Sequence, residues 1–379
     1  MRVSVLQDNF ASALAIATRA VDGRPSLPIL ANVMLVAEEG RLRIVGTNLE
    51  QTVIVWVGAK VEEAGAVTLP AKTLTDLMNQ LAPERVDMVL NEATVEMTLT
   101  CGTNVSHIKG MPASDFPDVP QHPDGESFTL PADVLKTAVA QVAFAAAKED
   151  NRPALTGVAW QSSGTSLTLA CADGYRLAIR TISGDVGMPA GEVIVPAKTM
   201  MDIARLIDLE EDGEVRVTFS LDRKLATFAI GAQIVVVAQM LEGKFPDYSA
   251  ILRQLKSSVE VVVYTDDLLR ACKRADIFAR DNASSVKLTA KVPRRDGDYG
   301  ELVVVGKSNE RGDNEGVIDA RVVGDALDVN ANSKYLMEPL NTINDERVRL
   351  QMGANTPIAL MPEGRADLTH IIMPMGVGK

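Results

Sequence analysis

The residues best suited to nucleophilic or metal chemistry are few in this chain and stand far apart. Disulfide frameworks and zinc sites need Cys or His residues at short, defined spacings. The three cysteines are Cys101, Cys171 and Cys272, and the three histidines are His107, His122 and His370. None of them has a second ligand at such a spacing. The sequence therefore predicts small core cysteines, no disulfide framework, and no metal or cofactor site.

Motifs for a catalytic nucleophile or a bound phosphate are also missing. The sequence has no Gly-x-Ser-x-Gly elbow and no His-Glu-x-x-His helix. Residues 376–379 (GVGK) look like part of a phosphate loop but lack the helix that such a loop requires. Residues 173–176 (DGYR) are typical of a turn in which Gly174 supplies backbone freedom. We therefore expect a binding protein rather than an enzyme.

The composition is that of a globular protein with more than one domain. The chain has 379 residues, of which 46% are hydrophobic and 23% charged. No apolar run approaches the roughly 18 residues that span a bilayer, and Asp8 interrupts the first segment before a signal-like stretch develops. These features predict a cytoplasmic protein. The net charge of −12 argues at first against nucleic acid, because phosphate affinity comes from Lys and Arg.

The chain repeats itself about every third of its length. Residues 67–77 (VTLPAKTLTDL) reappear as residues 193–203 (VIVPAKTMMDI), and the FPD motif of residues 116–118 reappears at residues 245–247. Residues 332–337 (NSKYLM) stand where the same helix should occur a third time. Fixed-period similarity of this kind indicates repeated structural units. Three copies fill the chain.

Each copy reads as an α+β unit. Residues 72–81 place apolar side chains at helical spacing, and residues 133–148 form an alanine-rich helix pattern. Short β-branched runs at residues 51–57, 215–219 and 234–238 predict strands. Polar stretches around positions 123 and 254 suggest the boundaries. We predict three domains, at residues 1–123, 124–254 and 255–379.

Several predicted helices carry basic residues on their polar faces. Lys198 and Arg205 lie seven positions apart with Asp202 between them, and Lys136 and Lys148 lie near the two ends of the alanine-rich helix. Such charges usually belong to ordinary solvated helix faces. An acidic protein can still hold DNA if its basic residues gather on one concave surface, because the local potential acts at close range.

Seven segments together resemble the bacterial DNA polymerase III beta subunit family, the replication sliding clamps. They are residues 23–30 (GRPSLPIL), 46–50 (GTNLE), the two PAKT helices, 172–177 (ADGYRL), 243–248 (GKFPDY) and 371–375 (IIMPM). The resemblance covers the whole chain. It implies three repeated processivity-fold domains, with helices lining a ring and antiparallel sheets outside. Two chains would form the ring, a homodimer.

The same resemblance implies the function. The ring would encircle duplex DNA without reading its sequence, and would tether DNA polymerase III through its alpha subunit. The clamp loader and other proteins carrying a clamp-binding peptide would be further partners. Long-range phosphate attraction suits sliding because it varies little along the duplex. No membrane partner is implied.

The resemblance also assigns residues to three sites. The partner-peptide pocket, between the second and third domains, would comprise Leu155, Gly174, Tyr175, Arg176, Leu177, Pro246, Ile251, Ile372, Met373, Pro374 and Met375. The residues that contact DNA would be Arg24, Lys72, Lys148, Arg152, Lys198 and Arg205. The dimer interface would use Ile108, Ile277 and Phe278. Apolar residues suit an adaptable cleft, to which Arg176 would add a polar rim.

This sequence departs from the family pattern at three places. Position 175 is Tyr where well-known members have His, and Pro153 and Ala154 replace adjacent tyrosines. The chain also runs on as residues 376–379 (GVGK), where those members end with a basic and an apolar residue. An alternative therefore stays open, in which a clamp paralogue acts as a peptide-binding scaffold without efficient processivity function. Normal peptide binding without stimulated processivity would mark that alternative.

Overall fold

Antiparallel sheets dominate the fold, and short helices pack on them. The computed structural model describes residues 1–23, 25–119, 124–149, 151–208, 213–253, 255, 257–292 and 299–376. The chain folds into two compact units, one from residues 1–136 and 201–240, the other from residues 137–200 and 241–379.

The helices among the described residues are α1 (Gln7–Ala17), α2 (Ala71–Met78), α3 (Ala132–Val142), α4 (Ala197–Ile207), α5 (Ser249–Arg253), α6 (Thr265–Ala279) and α7 (Ser333–Leu340). The strands up to residue 131 are β1 (Arg2–Leu6), β2 (Asn32–Glu38), β3 (Arg41–Thr47), β4 (Gln51–Gly58), β5 (Lys60–Glu63), β6 (Gly65–Pro70), β7 (Arg85–Asn91), β8 (Glu96–Cys101), β9 (Asn104–Lys109), β10 (Met111–Pro112) and β11 (Gly125–Pro131). The later strands are β12 (Gly157–Ser162), β13 (Ser166–Ala172), β14 (Arg176–Ser183), β15 (Gly191–Pro196), β16 (Glu214–Ser220), β17 (Leu225–Ile230), β18 (Ile234–Gln239), β19 (Val259–Tyr264), β20 (Ser285–Lys291), β21 (Gly300–Ser308), β22 (Gly312–Gly324), β23 (Leu327–Asn332), β24 (Arg347–Met352), β25 (Ile358–Pro362) and β26 (Leu368–Ile372).

Two predicted helices are shorter than the sequence pattern suggested. Helix α2 buries Leu74 and Met78 as expected but ends there, and the N–H groups of Gln80 and Leu81 bond to carbonyls three residues back, which makes a turn rather than a further helical turn. Helix α3 ends at Val142, whose φ of −124° leaves the helical range. The predicted helix to residue 148 was therefore wrong at its end, and Lys148 lies in the segment that follows.

The described strands of the first unit form two antiparallel sheets. One has the order β5-β1-β7-β8-β9, and the other has the order β10-β6-β2-β3-β4-β18-β17-β16-β11. The second sheet is continuous across two sequence repeats, because β18 pairs with β4 from Ile234 opposite Val55 to Ala238 opposite Gln51. The predicted strands at residues 51–57, 215–219 and 234–238 all lie in this sheet.

The described strands of the second unit form one long antiparallel array, in the order β15-β12-β13-β14-β26-β25-β24-β19-β22-β21-β20-β23. Here β26 pairs with β14, with Ile372 opposite Arg176 and Leu368 opposite Arg180. The last strand of one repeat thus pairs with the fourth strand of the repeat before it, as β18 does with β4. The second repeat is therefore divided between the two units.

Close packing of helix on sheet recurs in the first and third repeats. A Cβ added at Gly46 of β3 would lie 2.1 Å from the Ala17 carbonyl oxygen, and one at Gly306 of β21 would lie 2.0 Å from that of Ala275. Only glycine permits this approach. The corresponding residue of the second repeat is Cys171, which is buried. The repeat seen in the sequence is thus also a repeat in packing.

Candidate functional site

An apolar groove of about 160 Å³ lies in the second unit, where β14, the segment before α5 and the end of β26 meet. It brings together seven of the residues assigned to the peptide pocket: Leu155, Gly174, Arg176, Leu177, Pro246, Ile251 and Met373. Sequence reasoning missed the other lining residues, which are Ala172, Phe245, Asp247, Tyr248 and Ile371, and it assigned Arg152 to DNA instead. All five missed residues stand inside or beside the quoted motifs, which were the available signal.

Buried apolar side chains form the floor of the groove. Leu155, Leu177 and Ile371 belong to one hydrophobic cluster with Phe245. The Tyr248 ring stands edge-on to the Phe245 ring, with centroids 6.2 Å apart, and the Tyr248 hydroxyl donates to Gln161 Oε1 at 2.5 Å. Burial raises the pKa of this hydroxyl above its ordinary value. The groove therefore offers apolar anchors a preformed surface with fixed aromatic walls.

The turn before β14 shapes one side of the groove. The Asp173 carboxylate accepts from the backbone N–H groups of Tyr175 and Arg176, at 2.9 and 3.0 Å. Gly174 has a φ of +93°, which L side chains rarely adopt. A Cβ at Gly174 would also lie 3.0 Å from Arg152 Nη2. The Asp-Gly pair thus fixes the turn and lets Arg152 approach the groove.

Arg176 is buried, which corrects its expected place on a polar rim. Its side chain is 7% exposed, and its guanidinium donates to Asp173 Oδ2 at 3.0 Å, to the Phe144 carbonyl at 2.6 Å and to Glu338. The guanidinium carbon also lies 4.5 Å from the Tyr335 ring centroid and 5.4 Å from that of Phe144. Arg176 therefore supports the groove from beneath as part of a buried network.

Four residues assigned to the pocket do not line the groove. Tyr175 is 66% exposed, and its carbonyl accepts from the Met373 N–H at 2.8 Å. Ile372 is buried in the core cluster that also contains Val261 and Leu350. Pro374 and Met375 are half-buried beyond the groove. Because alternate strand residues face opposite sides, Ile371 rather than Ile372 reaches the groove floor.

The residues assigned to DNA contact are exposed wherever the structure describes them. Arg24 lies outside the described residues. Lys72 lies on α2, Lys148 and Arg152 lie on the segment after α3, and Lys198 and Arg205 lie on α4. Arg205 Nη1 is 3.1 Å from Asp202 Oδ1, and Arg19 Nη1 approaches the same oxygen at 4.0 Å. Sequence reasoning did not single out Arg19.

The residues assigned to the dimer interface differ in exposure. Ile277 of α6 is 51% exposed, and its neighbour Phe278 is half-buried. Ile108 of β9 is only 6% exposed within the chain. Strand β9 forms one edge of its sheet. An apolar side chain on a helix surface and an open strand edge are features through which chains associate.

Potential metal ligands do not cluster among the residues that the structure describes. The described part of the chain contains no group of three or more His, Cys, Asp or Glu side chains placed to hold a metal ion. The cysteines Cys101, Cys171 and Cys272 are all buried and free, and burial raises the pKa of the Cys272 thiol to about 12. Among the same described residues, no helix has the length and apolar character needed to cross a membrane.

Three protein-family models match successive parts of the chain. They describe the N-terminal, central and C-terminal domains of the DNA polymerase III beta subunit, and they match residues 1–120, 129–247 and 255–376. The "Beta sliding clamp" of Synechococcus elongatus is 28% identical over 380 residues, and that of Streptomyces coelicolor is 29% identical over 384, with 99% of each chain covered in both cases.

Solved structures show the same likeness. The DNA polymerase III subunit beta from Pseudomonas aeruginosa superposes with a TM-score of 0.89 at 26% identity, covering 99% of this chain and 100% of that one. The DNA polymerase sliding clamp from Bacillus subtilis gives a TM-score of 0.91 with complete coverage of both chains. Its 22% identity makes this second likeness evidence for the fold alone.

Proposed function

The chain belongs to the DNA polymerase III beta subunit family, and we propose that it is the DNA sliding clamp that gives the replicative polymerase its processivity. The observation that carries this conclusion is the match of all three domain models, in order, to nearly the whole chain. The protein is a non-catalytic factor. It encircles duplex DNA as a homodimeric ring, and it binds DNA polymerase III and other clamp-binding proteins.

Encirclement explains how a protein without catalytic residues raises processivity. A polymerase tethered to a ring on its template stays at high effective concentration near the primer end. Phosphate contacts hold the ring without preference for sequence, so the ring slides. We propose domains at residues 1–123, 124–254 and 255–379, and a cytoplasmic location. Nothing in the comparisons favours the scaffold alternative.

The pairing between repeats supports a specific way of closing the ring. Strand β18 pairs with β4, and β26 pairs with β14. Two corresponding strand edges are left over. One is β9, the last long strand of the first repeat, and the other is the beginning of β22, the fourth strand of the third repeat. That part of β22 pairs with β21 on one side, whereas its later residues 321–324 also pair with β19. We propose that β9 of one chain adds antiparallel to the beginning of β22 of a second chain, twice per ring.

Replacing Ile277 by Asp is expected to weaken the dimer by at least about tenfold. The change puts a charge on an exposed apolar side chain of α6, beside the proposed strand joint. Analytical ultracentrifugation across a dilution series measures it. The matched control is Val323→Asp, an exposed apolar residue where β22 already pairs with β19. Equal dimerisation of Ile277→Asp and the wild type would remove α6 from the joint.

Charge reversal of Lys198 and Arg205 on α4 together is expected to weaken DNA loading. Each phosphate contact that is lost should reduce the steepness of the salt dependence by roughly 1. Retention on circular DNA measured at several salt concentrations gives that slope. Lys224→Glu, in the turn between β16 and β17, is the control for a simple change of net charge. A slope unchanged from the wild type would remove these residues from the DNA surface.

We propose that the groove receives the apolar side chains of a short partner peptide. Met373 lines it and is 42% exposed, so Met373→Ala should weaken peptide binding by about fivefold to tenfold without unfolding the protein. Fluorescence anisotropy measures the affinity. Met375→Ala, a half-buried methionine outside the groove, is the control and should have less effect. If the Met375 change is the stronger one, the groove has been misplaced.

A primer-extension assay with DNA polymerase III and its clamp loader tests the proposed function. We expect the protein to lengthen the products made in a single binding event. Peptide binding together with unlengthened products would instead support the scaffold alternative.

A further inference from the structure

A second, larger cavity of about 480 Å³ adjoins the groove and shares two lining residues with it. This cationic cavity lies between the segment after α3, the turn before β14 and the beginning of α7. Its lining includes Lys148, Arg152, Tyr175, Lys334 and Tyr335. Arg152 and Arg176 line both the groove and the cationic cavity. These two arginines therefore form the partition between them.

The two arginines of the partition are held very differently. Arg176 is fixed by its buried ion pairs and by the rings of Phe144 and Tyr335. Arg152 is exposed, and its Nη2 reaches the Asp173 carbonyl only at 3.5 Å, the limit of a hydrogen bond. The Arg152 side chain is thus free to turn toward a ligand that enters from the groove.

The charges around the cationic cavity are unbalanced. Lys148, Arg152 and Lys334 are exposed, and no carboxylate of the described residues lies within 4.0 Å of their charged groups. The carboxylates of Asp173 and Glu338 are both paired with Arg176. Glu149 is the remaining acidic residue of the lining, and it accepts from Asn151 Nδ2 at 3.5 Å. A local cationic site in a chain of net charge −12 will attract acidic groups.

We infer that the cationic cavity takes acidic side chains that flank the apolar anchors of a docked partner peptide. This inference rests on the proposed function of the groove. The apolar anchors enter the groove, and an adjoining Asp or Glu reaches past Arg152 to pair with Arg152 and Lys334. Tyr175 and Tyr335 provide ring faces and hydroxyl groups beside that path. The acidic contact then selects among partners that share the same apolar anchors.

The test uses labelled peptides and the full-length protein. The core peptide is fluorescein-labelled Ser-Leu-Ser-Leu-Phe-Ser, and two longer forms carry Asp-Glu at the amino or the carboxyl end. Matched peptides carry Ser-Ser at the same places. We expect one of the two acidic forms to bind about fivefold more tightly than its Ser-Ser match at low salt, and the advantage to shrink at high salt.

Lys334→Glu should remove that advantage and leave the affinity for the core peptide unchanged, because Lys334 does not line the groove. Lys224→Glu should retain the advantage. Equal binding of the acidic and Ser-Ser forms by the wild type would overturn the inference while leaving the groove in place. Failure of the core peptide to bind would overturn the groove and the inference with it. If Lys334→Glu reduces DNA retention but not the acidic advantage, the cationic cavity serves nucleic acid instead.

Discussion

Arg176→Ala is expected to destabilise the second unit by about 3 kcal/mol and to abolish peptide binding in the groove. Removing the guanidinium leaves the half-buried Asp173 carboxylate without its charged partner and the Phe144 carbonyl without its donor. It also opens space between the rings of Phe144 and Tyr335. The Glu338 side chain is partly in water, so the loss of its ion pair adds little.

Urea unfolding of the intact protein measures the stability change, and peptide anisotropy measures the effect on the groove. Arg321→Ala is the control, because Arg321 is exposed and its Nη2 lies 2.9 Å from Glu363 Oε1. The control should change the free energy of unfolding by no more than about 0.5 kcal/mol. Wild-type stability and peptide affinity in Arg176→Ala would show that the buried network does not support the groove.

We expect the stability of the folded protein to fall at acidic pH, and we expect His370 to be a main cause. The imidazole stacks on Phe144, with ring centroids 5.7 Å apart. Its Nε2 is buried and has no hydrogen-bond partner in the described part of the chain. Burial, helped by the charge of Arg176, lowers the pKa of His370 to about 3. His370 is therefore neutral in the folded protein at every physiological pH.

The sign of the effect follows from the two pKa values. In the unfolded chain an imidazole takes up a proton near pH 6.5, whereas folded His370 stays neutral until about pH 3. The unfolded state thus binds the extra proton in that window. The contribution of His370 to stability is complete above pH 6.5 and is lost as the pH falls toward 3. Between about pH 7.5 and 5 the loss should be about 2 kcal/mol.

Urea unfolding at several pH values in this range measures the loss. His370→Leu places an apolar side chain at the same buried position and cannot take up a proton. The free energy of unfolding of this variant should therefore fall by about 2 kcal/mol less than that of the wild type over the same pH range. An equal fall in the variant and the wild type would assign the acid sensitivity to other groups.

The sequence was sufficient for the repeat and for most of the groove. Residues 172–177 and 243–248 were recognised as motifs, and the structure places both at the groove. The sequence did not show which residues of β26 face the groove. Residues 368–372 are apolar at three of five positions, and both faces of the strand are buried, so no polar residue marks an outer face. The choice of Ile371 over Ile372 therefore required the structure.

The sequence patterns could not predict contacts between residues that are far apart in the chain. Arg176 is buried because Glu338, 162 positions away, and Phe144 close around it. Nothing local to residues 173–176 indicates those partners. The Phe144 carbonyl, two residues beyond the end of α3, also accepts from Arg176, and the sequence around residue 144 gives no sign of that bond. Local periodicity does not register such tertiary effects.

The most direct test of the central claim is the retention of the loaded protein on DNA of different topology. The protein is loaded onto a nicked circular plasmid, excess protein is removed by gel filtration, and half of the sample is linearised with a restriction enzyme. A closed ring predicts that the protein stays on the circle and runs off the linear ends, so its half-lives on the two forms should differ severalfold or more. Equal half-lives on circular and linear DNA would contradict encirclement.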